Sequence, residues 1–409
     1  QSGDVLSPED LAAQDEMGRS VAICGQRAAI GVPGDDEAGT DAGAVLIFRK
    51  EGTGYVFDEK ILPQPDPGTG TPVAGERFGS SVSCSGDLIV IGAPGDGTVV
   101  KGSGGPDKAA YIAQMGGGGG LNKVIGANLG FGSSDGFGSA VSMDGTTIAV
   151  GAPSAMNAQS GMNSGAAVMI EVADAGDPQS STVTTTISDP NADAAAGFGS
   201  SLSVSGGKVG VGLPGQANGL GAAQIYQNLS GTDWSNTASM TNTGGNEGDG
   251  FGTAVSLQGN MMAVGAPGDD TGGTDAGAAF VFDVGGDNFV QVGTAITPSD
   301  PTAEANFGQS VSLVGNQLAV GAPQANGNAN KTGAGYLFGL AGGVWNQVAK
   351  TLAENGGTGD LFGTSVAYDG DNFLIGAPSG IRQSIQSGYV SAYTSADRLF
   401  RANFESNNP

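Results

Sequence analysis

Seven copies of one sequence motif constrain the fold of this chain more than any other feature. Each copy opens with Phe-Gly, or Met-Gly in the first, and closes with Gly-Ala-Pro or a near variant, as in FGTAVSLQGNMMAVGAP at 251–267. The copies begin at Met17, Phe78, Phe137, Phe198, Phe251, Phe307 and Phe362. Starts spaced roughly 50 to 60 residues apart, with several strands in each unit, are typical of β-propeller blades.

The pattern inside each copy predicts two strands joined by a tight turn. The fourth residue after the start is aliphatic in every copy, and both of its neighbours are Ser or Ala. This alternation predicts a first strand with one bulky and one small face, and the small face would let the next blade approach closely. A glycine eight residues after the start predicts a hairpin with positive φ. The closing proline ends the second strand because it has no N–H to donate.

Two further strands are predicted in each unit. The third opens with Gly-Ala, as in GAVLIF at 43–48, GAAQIY at 221–226 and GAAFVF at 277–282, and a weaker fourth strand follows. The last copy has only three clear strands, and the chain start GDVLSPEDLAAQDE resembles the segment that precedes other copies. We therefore predict an all-β, seven-bladed propeller of four-stranded blades, closed by the N-terminal strand. The alternative closing strand is the segment DRLFRANF at 397–404.

The predicted boundaries follow from the starts of the copies. The N-terminal strand and loop that complete blade 7 occupy 1–16, and the tail occupies 396–409. Blades 1 to 7 occupy 17–77, 78–136, 137–197, 198–250, 251–306, 307–361 and 362–395.

These motifs resemble FG-GAP repeats, the unit of the integrin α-subunit propeller and of many exported bacterial proteins. The resemblance extends over about residues 1–395 and is closer to the bacterial type, whose first hairpin is short. It implies a propeller with an extracellular binding or adhesion role. Integrin-type copies often carry a calcium loop between the first two strands, but all seven hairpins of this chain are too short for one, and most lack the carboxylates.

Composition narrows the classes of function. The chain has no histidine, which excludes Ser-His-Asp and Cys-His catalysis and imidazole metal ligands. A net charge of −25 disfavours nucleic acid and anionic membranes as partners.

The start at Gln1 and the lysine-poor composition lead us to expect an exported protein whose signal peptide has been removed, located outside the cell or on its surface. Cys24 and Cys84 then form either a disulfide or two buried free thiols.

Two nearly identical acidic segments are the candidate metal sites. GDDEAGTDAGA at 34–44 and GDDTGGTDAGA at 268–278 occupy the same place in their repeats. Clustered carboxylates with glycine-freed carbonyls suit calcium, although no cofactor is expected to be required. The alternative is turn chemistry, in which each aspartate caps its own backbone. The candidate ligands are Asp35, Asp36, Asp41, Asp269, Asp270 and Asp275.

Three functional hypotheses remain. The first is a non-catalytic extracellular scaffold or adhesion propeller, including a variant that assembles into a homopolymer or surface filament through its Gly/Ala-rich surfaces and its tail. The second is a carbohydrate- or protein-binding, lectin-like module that uses the loops at the rim. The third is a polysaccharide-active enzyme, which the absence of histidine disfavours. Trp234 and Trp345 fall in fourth strands, where outer-strand packing competes with sugar stacking.

Overall fold

The architecture is all-β, with seven four-stranded antiparallel sheets in the part of the chain that the structure describes. The structure is a computed structural model. It describes residues 4–8, 10–65, 74–95, 108–116, 120–286, 289–327, 329–354, 356–382 and 385–394. The predicted fold class is confirmed. Each sheet is one blade, and in blades 1 to 6 the strand order in the sheet follows the order in the chain.

The strands of the first half of the chain are as follows. Strand β1 is Asp4–Leu6. Blade 1 contains β2 (Val21–Cys24), β3 (Arg27–Val32), β4 (Ala44–Glu51) and β5 (Gly54–Ile61). Blade 2 contains β6 (Ser81–Ser85), β7 (Leu88–Ala93), β8 (Ala109–Gln114) and β9 (Asn122–Ile125). Blade 3 contains β10 (Val141–Asp144), β11 (Thr147–Ala152), β12 (Ala166–Val172) and β13 (Ser181–Ile187).

The second half continues the pattern. Blade 4 contains β14 (Ser201–Ser205), β15 (Lys208–Leu213), β16 (Ala222–Ser230) and β17 (Asp233–Met240). Blade 5 contains β18 (Ala254–Gln258), β19 (Met261–Ala266), β20 (Ala278–Asp283) and β21 (Val290–Gln291). Blade 6 contains β22 (Ser310–Val314), β23 (Gln317–Ala322), β24 (Ala334–Ala341) and β25 (Val344–Leu352). Blade 7 contains β26 (Ser365–Tyr368), β27 (Asn372–Ala377) and, after a small hairpin of β28 (Ile381–Arg382) and β29 (Ile385–Gln386), β30 (Tyr389–Thr394). Short helical turns are formed by Gly126–Leu129 and Pro178–Ser180, and Gln216–Gly219 is a turn in which Ala217 and Asn218 have positive φ.

The N-terminal strand closes the ring, as the sequence predicted. The sheet of blade 7 has the order β1-β30-β27-β26, so β1 supplies its fourth strand, with Val5 opposite Ser391. The alternative segment 397–404 lies outside the described residues. The first strands of neighbouring blades contact one another around the circle, and β2 contacts β26 where the circle closes. A parallel bridge between Met17 and Gly388 joins the same two blades.

The recurrence of Phe-Gly with Gly-Ala-Pro has a direct steric cause. The glycine of Gly-Ala-Pro in one blade faces the carbonyl of the Phe-Gly glycine in the next blade. A Cβ on Gly265 would lie 1.9 Å from the carbonyl oxygen of Gly308, and one on Gly31 would lie 1.9 Å from that of Gly79. The same approach recurs at the other five blade junctions. Both glycines are therefore required for the blades to come this close, and the phenylalanine beside them is fully buried.

Serines on the small face of the first strand make hydrogen bonds between blades. The Oγ of Ser20 donates to the carbonyl of Gly79 at 2.8 Å, and Ser365 donates to that of Gly18 at 2.8 Å across the point of closure. The serine two positions further along the first strand makes a second kind of bond. In blade 4 this residue is Ser203, whose Oγ accepts the N–H of Leu257 in blade 5 at 2.8 Å. The small face predicted from the sequence thus bonds to the neighbouring backbone as well as leaving room for it.

A disulfide adds a covalent link between two blades. Cys24 on β2 is bonded to Cys84 on β6, with the two Cα atoms 5.7 Å apart. The link joins the innermost strands of blades 1 and 2, which face each other. Of the two alternatives that the sequence left open, the structure therefore contains the disulfide and not the free thiols.

Candidate functional site

One face of the ring carries the variable loops. Within an antiparallel blade, the connection from the second to the third strand and the connection to the next blade leave the same end of the sheet. The two acidic segments at 34–44 and 268–278 are second-to-third connections of blades 1 and 5. They therefore lie on this face, which we call the loop face, together with the segments that precede each Phe-Gly.

The first acidic segment forms an internally bonded turn. The N–H of Glu37 donates to Asp35 Oδ1 at 3.1 Å, and the N–H of Asp41 donates to Asp36 Oδ1 at 2.8 Å. Asp41 itself has a φ of 49°, in the left-handed region that aspartate tolerates better than most residues. This arrangement uses the carboxylates as backbone acceptors.

The second acidic segment repeats the same turn. The N–H of Thr271 donates to Asp269 Oδ1 at 2.8 Å, the N–H of Asp275 donates to Asp270 Oδ1 at 3.0 Å, and Asp275 also has a φ of 49°. The two segments therefore have the same turn conformation as well as nearly the same sequence.

The segments differ in how their charge is balanced. In blade 1, Lys60 Nζ lies 2.7 Å from Asp35 Oδ2 and 2.7 Å from Glu37 Oε2. Burial opposes the charged form of Lys60, but the hydrogen bonds and charges of these carboxylates raise its pKa above the ordinary value. In blade 5, the corresponding partner is neutral, since Asn242 Nδ2 donates to Asp269 Oδ2 at 2.9 Å.

A buried aspartate lies close to each acidic segment. Asp15, 2% exposed, precedes Met17 by two residues, and Asp249, also 2% exposed, precedes Phe251 in the same way. Burial raises the pKa of Asp15 to about 6, and the charges of Asp35 and Asp36 act in the same direction. Burial also raises the pKa of Asp249, with Asp269 adding to the effect. The N–H groups of Ala12 and Asn246 donate to these carboxylates and oppose the shifts.

Five of the seven repeats have a carboxylate at this position, a feature that our sequence reasoning missed. The residues are Asp15, Glu76, Asp135, Asp249 and Asp360. The four aspartates each accept an N–H from the residue three positions earlier, at 2.6 to 3.0 Å. Aligning the repeats two residues upstream of Phe-Gly would have revealed the column.

The calcium hypothesis stays a prediction. Among the described residues, no group of three or more Asp, Glu or Cys side chains is arranged to hold a metal ion. The structure places Asp35, Asp36 and Asp41 in one turn and Asp269, Asp270 and Asp275 in the other, with backbone N–H groups on the carboxylates of the first two in each set. This is the turn chemistry that the sequence offered as the alternative.

A polar cleft between blades 3 and 4 opens on the loop face. It encloses about 640 Å³. Its walls come from the connection between the two blades, from the second-to-third connections of both blades, and from the two outer strands of blade 4. A smaller cleft of about 470 Å³ lies between blades 5 and 6 and includes Asp275.

The two tryptophans lie in outer strands. Trp345 is 9% exposed, and its Nε1 donates to the carbonyl of Val292 at 3.1 Å. Trp234 is half-buried and packs against the core that contains Tyr226. Neither residue lines either cleft, so both serve outer-strand packing here.

Comparisons with known proteins agree with this geometry. The family model described as FG-GAP repeat matches residues 4–48, 72–112, 131–168, 234–282, 292–338 and 345–393. No curated protein sequence matches the chain. A solved chain from the "Crystal Structure of Mitotic Checkpoint Complex" is similar at 12% identity with a TM-score of 0.58, covering 97% of this chain and 92% of that one. At that identity the likeness shows the fold alone. None of the helices in the described segments is long and apolar enough to cross a bilayer.

Proposed function

The chain belongs to the FG-GAP repeat family, and from this premise we propose that it is a non-catalytic extracellular scaffold that binds its partners through the loop face. The observation that carries the proposal is the combination of a rigid closed frame with loops that vary from blade to blade on one side. Loops held by a rigid scaffold are where binding residues concentrate.

The proposed location outside the cell is supported by the disulfide. Cys24–Cys84 links two blades through their innermost strands, and structural disulfides persist mainly in oxidising compartments. The acidic composition is in line with this location. It also leads us to propose that the partners are glycans, proteins or further copies of the chain, and not nucleic acids or membrane interiors.

A non-catalytic role is supported by the chemistry of the chain. With no histidine in the sequence, no imidazole acts as a general base or a metal ligand. Asp15, whose pKa is raised by burial to about 6, is 2% exposed and lies beside the ion pairs of Lys60 and not in either cleft. Its raised pKa is the expected consequence of burial in a structural position.

The proposal can be tested with cells that no longer produce the protein, to which the purified protein is then added from outside. We expect cells that lack it to attach less to one another or to their substratum, and purified protein added to the medium to restore attachment. Restoration only by protein made inside the cell would contradict the proposal. Release of reducing ends from polysaccharides by the purified chain would contradict the non-catalytic part.

Self-assembly is a second candidate. Apolar side chains are exposed on the outer strands, with Phe57 52% exposed on β5 and Val344 58% exposed on β25. An outermost strand also has one unpaired edge, which is a site for association between sheets. Light scattering coupled to size-exclusion chromatography, followed by negative-stain imaging, distinguishes polymers from single rings of 39.9 kDa.

A further inference from the structure

The cleft between blades 3 and 4 lies where blade 4 departs from the repeat. Its second-to-third connection, 214–221, spans eight residues, whereas 33–43 in blade 1 and 267–277 in blade 5 span eleven. The shorter connection turns through Ala217 and Asn218, two consecutive non-glycine residues with φ of 51° and 57°. Such strained backbone is found where the surrounding structure imposes it, often at binding sites. The segment 169–233 is also outside the ranges that the family model matches.

A buried glutamine lies at the base of the cleft, at a strand position where three other blades have an apolar side chain. Gln224, 4% exposed, aligns with Leu46, Val168 and Phe280 in blades 1, 3 and 5, with Tyr111 and Tyr336 in blades 2 and 6, and with Ser391 in blade 7. Burying an amide costs free energy unless its hydrogen bonds are made. The ring itself does not require a polar group at this position, since blades 1, 3 and 5 close without one.

The hydrogen bonds of Gln224 organise the wall of the cleft. Its Nε2 donates to Asp189 Oδ2 at 2.6 Å. Its Oε1 accepts from Asn236 Nδ2 at 3.0 Å and from the hydroxyl of Tyr226 at 3.2 Å. Three cleft side chains from two blades are therefore fixed in orientation by one buried amide. A satisfied polar network of this kind is rigid before any ligand arrives.

The chemistry of the lining selects a class of ligand. Apart from Pro190 and Ala222, the lining side chains are amides, hydroxyls and the single carboxylate of Asp189, with no lysine or arginine among them. Amides and carboxylates arranged in this way accept from and donate to the hydroxyl groups of a neutral ligand. An anion would meet Asp189 without a compensating cation. The volume, about 640 Å³, lies within the range of small-ligand sites.

We propose that this cleft binds a neutral saccharide, with Asp189 and Asn236 contacting hydroxyl groups and Gln224 positioning them. Gln159 and Asn191 stand exposed at the mouth and add contacts from blade 3 and from the connection between the blades. This inference rests on the proposed function, because it names the ligand class of a loop-face site. It does not require the acidic segments to bind calcium.

The test is saturation-transfer NMR titration of the full chain with neutral trisaccharides (maltotriose, cellotriose, mannotriose and triacetylchitotriose) and with trigalacturonate as the anionic probe. We expect at least one neutral trisaccharide to bind and the anionic probe not to bind. Gln159→Ala should weaken that binding about tenfold by removing a contact at the mouth, and Gln291→Ala, an exposed glutamine outside the cleft, is the matched control and should leave it unchanged.

A second variant tests the positioning role. Gln224→Leu introduces the residue that blade 1 has at this position, so the ring should form, and it should abolish detectable binding. Its melting temperature reports whether the fold survives. Binding that persists in both cleft variants, or binding of trigalacturonate alone, overturns the proposal. If no trisaccharide binds while added protein still restores cell attachment, the saccharide inference is wrong and the scaffold function stands.

Discussion

The close approach of neighbouring blades can be tested at Gly265. The added Cβ of Gly265→Ala would lie 1.9 Å from Gly308 O and 2.9 Å from Gly308 C, whereas ordinary contacts begin at 3.4 Å. The obstacle is backbone that cannot rotate away. Gly308 N donates to Gly321 O at 3.0 Å, and Phe307 N donates to Ala276 O at 3.0 Å, so the neighbouring segment is held on both sides. Relief therefore requires the two blades to separate by about 1.5 Å at this point, in an interior packed at crystal density.

The expected cost exceeds that of a typical overpacked side chain. Inserting a methyl group into a packed interior costs about 1 to 3 kcal/mol, and a contact with backbone on both sides belongs at the upper end or beyond. For a chain of 409 residues, about 3 kcal/mol lowers the melting temperature by about 3 to 4 °C. Differential scanning calorimetry at a fixed scan rate measures this shift.

The matched control is Gly286→Ala. Gly286 is exposed, has no atom within 4 Å of its ideal Cβ position, and does not have a positive φ. The free energy of unfolding should then change by no more than about 0.5 kcal/mol. Equal shifts for the two variants, or no shift for Gly265→Ala, would refute the claim that steric contact between blades requires glycine in Gly-Ala-Pro.

Three further outcomes follow from the same contacts. Asp15→Asn should raise the melting temperature by about 2 °C at pH 8, because a carboxyl with a pKa of about 6 destabilises the folded state when ionised. The difference should shrink as pH falls from 6 towards 4, because the carboxyl binds a proton in the folded state over this range, whereas in the unfolded state it keeps its ordinary pKa of 3.8. A difference that grows over that range would contradict the assignment. Replacing Cys24 and Cys84 by alanine should cost about 4 kcal/mol, since the bridge closes a loop with a sequence separation of 60, and calorimetry of oxidised and reduced wild type is the control. Calcium or EGTA should change the melting temperature by less than about 1 °C if the acidic segments are backbone turns, whereas a rise of several degrees with calcium would favour a bound ion.

The fold was predictable because its main determinants recur. An aliphatic residue between Ser or Ala neighbours, the hairpin glycine, and Gly-Ala-Pro or a near variant appear in every copy, so a pattern that is weak in one blade becomes strong when it occurs seven times. The closing strand was also predictable, because the chain start resembles the segments before other copies. The fourth strands were harder: β21 of blade 5 is only Val290–Gln291, and its sequence has no repeated motif.

The site was less predictable because it depends on register between strands and on single departures from the repeat. Lys60 reaches Asp35 only because it lies opposite Leu46 in the β4–β5 pair, and nothing in the sequence fixes that register beforehand. The cleft arises from one shortened loop and one glutamine. The signal for Gln224 was present in GAAQIY, but it gains meaning only when the structure shows that the position is buried.

The contacts that hold the blades together are different from the contacts that shape the cleft. The bond that Ser20 donates to a carbonyl of the next blade has no counterpart at Ala140 in blade 3 or at Ala254 in blade 5, and those blades still join the circle. The frame therefore tolerates the loss of individual hydrogen bonds because glycine contacts and a fully buried Phe or Met recur at every junction. Gln224 is a buried polar group that lies outside these repeated contacts. Its effect on the molecule is local, and it consists of holding Asp189 and Asn236 in fixed positions at an open cleft.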